Sequence, residues 1–329
     1  MDASLLPQGG GTVNEAPPQL YATRWWILGV FCSLSFIQAS CWNFYSPVSF
    51  AVQELYGWDN NEIAWVANAA NIAMLTSIPV SQLAVDRLGN RYPTVACALM
   101  MVVCAGLRCL PSLLGFSAAT NRSTMMLALM VVSMVFNGWS AAWLNFAGPI
   151  LSAAWFALEE RATVTAIVTC MPYIGVSAGF IFGPLLMEPS QFPAGCGGAA
   201  AADGSAGSGS GVDCEGAGCG CPGASTLYSL YYAEFAFTLV VLAAVLLRFP
   251  AKPPQPPTRS AALSESNADA SAGTCENYRQ VFCSCSQVNG ALWVIAVAFA
   301  LPLGVYSGWG TVLAINVTAT PLCRVPDER

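Results

Sequence analysis

The stretch Gln82-Leu83-Ala84-Val85-Asp86-Arg87-Leu88-Gly89-Asn90-Arg91 decides how the chain is read. Three charges and a glycine are confined to Asp86 through Arg91, and long apolar windows of about 62–84 and about 92–113 flank them. A helix needs roughly 20 apolar residues to cross the hydrocarbon core of a bilayer, and in lipid every backbone polar group must find its partner within the segment. Two such windows joined by a short charged turn therefore predict a helical hairpin with its turn at a membrane face. Barrel strands would alternate over about ten residues, and these windows are twice that length without alternation.

The pattern recurs outward from this hairpin. Further windows over about 25–49, 124–147, 163–187, 227–248 and 290–315 bring the predicted spans to seven. Gly148-Pro149 is read as helping to end the fourth, and Asn316 as closing the seventh. Of the 329 residues, 55% are hydrophobic and 9% charged, with mean hydropathy +0.56; a soluble domain carries about 25% charge. The chain is thus predicted to be an all-α polytopic membrane protein with the lipid bilayer as its solvent. Histidine is absent, which removes Ser/His/Asp triads, Cys/His dyads, HExxH zinc sites and histidine proton relays together. With no phosphate loop or ligand cluster either, the sequence predicts no catalytic residue, no metal and no cofactor, and so no enzyme. Twelve Lys and Arg against eighteen Asp and Glu give no basic footprint for nucleic acid. No feature names a protein partner.

These windows organise the chain. Residues 1–23 form a polar tail, 24–248 a six-helix bundle, 249–288 a proline-rich polar linker, 289–316 a seventh helix, and 317–329 a non-helical tail. With the N-terminus inside, Arg24, Arg87, Arg91, Arg161, Arg248, Lys252, Arg259 and Arg279 face the cytoplasm, against Arg108, Arg122, Arg324 and Arg329 outside, as the positive-inside rule requires. The sequons at Asn121 and Asn316 then fall on the outer or lumenal side as glycosylation candidates. There too lies the loop 190–225, whose Cys196, Cys214, Cys219 and Cys221 allow up to two disulfides in three pairings. Asp2-Ala3-Ser4-Leu5-Leu6 fits an acidic di-leucine sorting signal on the cytoplasmic side.

Polar or aromatic residues inside a span usually face a cavity or a partner helix. In the first window Gln38 and Trp42 are four apart and share a face, with Asn43 and Tyr45 next to them. Trp42 reads either as a cation–π contact for an organic cation or as an interfacial belt tryptophan. Asn68 and Asn71 in the second window, and Asn137 and Asn145 in the fourth, read as solute contacts or as helix-to-helix hydrogen bonds. Tyr306 and Trp309 mark the seventh window. Glu234 is the acidic residue well inside a span; it reads as a proton or ion coupling site, as the wall of a hydrated vestibule, or as a partner for Arg108.

The 82–91 link matches the loop pattern G-x-x-x-D-[RK]-x-G-x-[RK] of the major facilitator superfamily, with Gln82 where that family carries glycine. Asp86, Arg87, Gly89 and Arg91 are its gating-loop candidates. Trp42-Asn43, Leu107-Arg108-Cys109-Leu110-Pro111, Trp155-Phe156-Ala157-Leu158-Glu159-Glu160-Arg161, Tyr232-Ala233-Glu234-Phe235 and Pro302-Leu303-Gly304-Val305 carry the likeness further. Through them the chain resembles the solute carrier 49 group across all seven windows. That resemblance implies a major facilitator fold: here a complete N-terminal six-helix bundle plus the first helix of the C-terminal bundle, apparently truncated. It also implies a transporter of a small organic solute, an amine or vitamin such as choline, pyridoxine or a heme-like compound, working by alternating access. The site it implies takes Gln38, Trp42, Asn43 and Asn137 from the bundle and Tyr306 and Trp309 from the seventh helix. A lysosomal or endosomal membrane is the location it favours, the plasma membrane the alternative. The competing expectation is a membrane receptor, sensor or partner-binding fragment that transports nothing.

Overall fold

The computed structural model of the chain describes residues 21–114, 124–191, 223–250, 253–254 and 290–311. Among these residues the regular structure is helical: α1 (Thr23–Trp42), α2 (Ser49–Tyr56), α3 (Asn60–Leu88), α4 (Arg91–Leu113), α5 (Thr124–Trp155), α6 (Leu158–Leu186), α7 (Ala224–Arg248) and α8 (Gly290–Thr311), with a 3-10 turn at Pro189–Gln191. All but α2 are long and apolar enough to cross a membrane, which makes seven.

Two helix ends differ most from the sequence reading, each for a local reason. The first span ends at Trp42 instead of near residue 49. Pro47 disfavours helical geometry at the residue before it and has no N–H to give, so residues 43–48 turn and a separate helix α2 follows. Gly57, at φ 67°, ends α2 by donating its N–H to Gln53 O at 2.8 Å, a left-handed cap. Two residues on, Asp59 and Glu62 exchange backbone-to-carboxylate hydrogen bonds of 2.7 and 3.0 Å, the reciprocal box that starts α3.

The second difference is in α5, which runs through Gly148-Pro149 to Trp155. Inside a packed membrane bundle, hydroxyls and neighbouring helices satisfy the groups a proline frees. Just beyond the proline the Ser152 hydroxyl donates to Pro149 O at 2.9 Å and accepts from Thr165 of α6 at 3.1 Å, a tie between the two helices at this point. The stop comes later, where Arg161 reaches back from α6 to the carbonyls of Phe156 and Ala153 at 3.1 and 3.0 Å. A cation there answers both the unpaired last carbonyls and the negative end of the helix dipole.

Within the bundle α3 packs along α5, α1 along α6, and α4 between α5 and α7. One apolar cluster runs along α1 from Ile27 to Cys41 and takes in Trp143, Trp155, Phe156 and Phe249. A second fills the end covered by α2, around Tyr45, Val52, Tyr56, Met130 and Tyr231. α1 is the most enclosed span. Its N-terminal Arg24 is tied to Glu160 of α6 at 2.8 Å. Two approaches are close enough to exclude any side chain. A Cβ on Gly138 of α5 would overlap the Ala70 carbonyl of α3, and one on Gly175 of α6 would overlap the Phe36 carbonyl of α1. Gly179 and Gly183 continue the second contact at four-residue intervals, a Cβ there falling 2.9 Å from Ser40 O and 2.7 Å from Val48 Cγ1.

The α3–α4 turn contains Gly89 at φ 69°, a left-handed conformation that glycine adopts without strain. Arg91 opens α4. The side chains of Asp86 and Arg87 lie outside the described residues, as do Asn121, Asn316, Cys196, Cys214, Cys219 and Cys221.

Candidate functional site

Five spans meet around a cavity of about 1060 Å³. The C-terminal turn of α1 contributes Gln38 and Trp42, and Asn43 follows where the helix breaks. From α3 comes Asn71, from α5 Asn145, from α6 Thr169 and Tyr173, and from α8 Tyr306 and Trp309. These positions lie near the middle of α3, α5 and α6, hence well below either membrane face. The chemistry of the lining is amide, hydroxyl and aromatic, and no Asp, Glu, Lys or Arg is among the described lining residues. Apolar walls with a few convergent polar groups are the usual character of a small-molecule site.

Of the six sequence candidates for solute binding, Gln38, Trp42, Asn43, Tyr306 and Trp309 line this cavity. Asn137 stands behind it, fully buried in α5. It accepts a 2.7 Å hydrogen bond from Gln38 Nε2 and donates from Nδ2 to the Gln38 backbone carbonyl at 3.2 Å. Its neighbour on the same helix, Asn145, takes the cavity position and donates to Met74 Sδ at 3.4 Å. The sequence reading did not single out Thr169 and Tyr173. Their spacing of four, which puts them on one helix face, was the available signal, shared in that window with Thr165 four residues before Thr169 and Ser177 four after Tyr173.

Glu234 is away from the cavity, in a second polar centre between α1, α4, α5 and α7. Arg108, counted above among the outer charges, is instead fully buried within α4, its side chain 0% exposed. Its guanidinium donates to Glu234 Oε2 at 3.0 Å, to the Cys41 carbonyl at 3.0 Å, to Ser133 Oγ at 3.3 Å and to Met134 Sδ at 3.2 Å. The rings of Tyr45, Phe44 and Tyr231 lie 5.3, 5.8 and 6.0 Å from its carbon, within cation–π range. Of the three readings of Glu234, the geometry is that of an ion pair. The bond to Cys41 also satisfies one of the carbonyls left open where α1 ends, so the pair anchors the turn that carries Trp42 and Asn43. Among the described residues no group of His, Cys, Asp and Glu could hold a metal ion.

Apolar spans gathered around an uncharged polar cavity define a polytopic membrane protein with a site for a small molecule between its helices. The profile described as Major Facilitator Superfamily matches residues 30–321, and the chain belongs to that superfamily. Within it the chain is similar to the solute carrier family 49 member 4 homolog of Xenopus laevis, 31% identical over 94% of this chain and 59% of that protein. The Xenopus tropicalis homolog is 30% identical over 98% and 61% respectively. Solute carrier family 49 member A3 of Danio rerio is 22% identical over 89% of this chain and 52% of its own. The chain thus spans about 60% of the length of the member 4 homologs it matches.

Proposed function

We propose that this chain supplies the first bundle and one facing helix of a carrier that moves a small organic amine or vitamin by alternating access. The observation that carries this reading is the chemistry of the cavity: Trp42, Tyr306 and Trp309 beside Gln38, Asn43 and Asn145, with no charge among the described lining residues. An aromatic face attracts an organic cation or stacks on a flat ring, and amides at mid-depth fix its orientation, as in other carriers built from repeated bundles. The same chemistry argues against a heme-like solute, whose two carboxylates call for arginine or lysine partners. Choline-like amines and pyridoxine-like vitamins suit it better.

Proteoliposomes carrying the full-length protein test this. Saturable uptake of labelled choline or pyridoxine above empty vesicles is expected; uptake of neither refutes the reading. Trp42→Ala is expected to raise the apparent KM about thirtyfold, the equivalent of the ~2 kcal/mol of a desolvated cation–π contact, while the protein still reaches the membrane. An unchanged KM removes Trp42 from the site.

The lysosomal or endosomal membrane is the proposed location, supported by Asp2 with Leu5-Leu6. Changing both leucines to alanine should shift a tagged protein to the plasma membrane; an unaltered distribution discounts the signal.

A further inference from the structure

The Gln38–Asn137 pair fixes which way round the Gln38 amide is held. The oxygen and nitrogen of an amide side chain are nearly alike in shape, so their assignment rests on the partners. Here the chain of partners begins at a group of single polarity. The Gln38 backbone carbonyl only accepts, so the Asn137 atom 3.2 Å from it must be the NH2 nitrogen. Asn137 Oδ1 is then the atom that meets Gln38, and across 2.7 Å it requires a donor, Nε2. Turning either amide over would set two acceptors, or two donors, against each other in a buried site. Asn137 is fully enclosed and Gln38 only 6% exposed, so water offers little compensation for such a mismatch.

Gln38 Nε2 thus spends one N–H on Asn137 and keeps its second, and Oε1, the amide's acceptor, is given no protein donor among the described hydrogen bonds. One helical turn further along the same face is Trp42, which lines the same cavity. We propose that Gln38, oriented by Asn137, is a specificity-determining acceptor that selects solutes carrying a hydroxyl or N–H donor within reach of the aromatic wall. This rests on the cavity being the solute site. A solute lacking the donor leaves Oε1 buried and unpaired, which is how a hydrogen-bonding site rejects an otherwise similar molecule. Asn137 acts here as a positioning residue, since it does not line the cavity.

The test compares an alcohol with its O-methyl ether, which keeps the oxygen and loses the donor. The probes are choline and pyridoxine, each against its O-methyl ether, as competitors of uptake by the full-length carrier in proteoliposomes. The unmodified carrier is expected to favour the alcohol about tenfold. Gln38→Leu, which removes the acceptor, should bring the ratio close to one. Asn137→Leu, which frees the Gln38 amide to turn either way, should do the same. A ratio is insensitive to the amount of folded protein, so a loss of stability alone does not move it, and should Asn137→Leu fail to fold, Gln38→Leu still decides. An ether bound as well as its alcohol by the unmodified carrier, or a preference that survives Gln38→Leu, overturns the proposal. Failure of the cavity reading looks different: neither alcohol is carried or competes, and this proposal falls with it.

Discussion

Glu234→Ala is expected to destabilise the protein by roughly 3–5 kcal/mol, the range for breaking a buried ion pair by removing one partner. The reason is what remains. Arg108 is wholly enclosed, and its partner is 11% exposed, so the guanidinium left behind keeps its charge with no carboxylate and little water to meet it. The Cys41 carbonyl, Ser133, Met134 and three aromatic rings offset part of that loss, which argues for the lower half of the range. At about 2.1 cal/mol/K of unfolding entropy per residue, each kcal/mol corresponds in a chain of this size to about 1.5 °C of melting temperature. The temperature at which the detergent-solubilised protein loses monodispersity should therefore fall by about 5 °C. Replacing both members, Arg108→Met with Glu234→Leu, should restore most of the difference, because an apolar pair of similar volume avoids the desolvation of two charges. A fall under about 2 °C for Glu234→Ala, or a double variant no better than the single one, contradicts the ion pair as a main tie between α4 and α7.

That pair also shows where the sequence stops being informative. Window averages locate the seven spans, because length and hydropathy are local properties, yet the charge count placed Arg108 outside although it lies within the 92–113 window, and its pairing with Glu234 was one of three open readings. A charge near the end of an apolar window looks like a boundary unless its partner is known, and Glu234 is 126 residues away. The break at residues 43–48 was hidden likewise: its residues are apolar enough to extend the window, and only Pro47 marks the turn. Spacing within one helix was more legible. Gln38 with Trp42, and Tyr306 with Trp309, are the separations that put side chains on a common face, and each pair lines the cavity. Asn137 and Asn145 illustrate the limit of that rule. Eight residues apart on one helix, they differ by about 80° around the axis, enough for one to turn toward α1 and the other toward the cavity. Which of them does so depends on the rotation of α5 against its neighbours, which no single-helix pattern contains. The glycines of α6 were legible in principle. Their spacing of four is the small-residue signature of close helix contact in membranes.

Gly175→Ala should destabilise the protein by about 3 kcal/mol through overpacking alone, and Gly175→Leu should leave little folded protein. Helices in lipid gain no hydrophobic energy by associating, so contact area between close backbones must hold them. At Gly175 the α6 backbone lies against the Phe36 carbonyl of α1, an atom that cannot swing aside as a flexible side chain would. One added methyl must push the two helices apart over the stretch that includes Gly179 and Gly183. Gly29 is the control, on α1 itself, where an added Cβ meets nothing within 4 Å; Gly29→Ala should be neutral or stabilise by up to about 1 kcal/mol through helix propensity. The contrast, a fall of roughly 4–5 °C in melting temperature for one alanine and none for the other, separates close packing from any general intolerance of change in these helices. A second measurement ties packing to function. α1 supplies Gln38 and Trp42, and α6 supplies Thr169 and Tyr173, so widening their contact moves facing walls of the cavity. Whatever Gly175→Ala protein reaches the membrane should transport with a raised apparent KM, and an unchanged KM would mean that the α1–α6 spacing does not set the shape of the site.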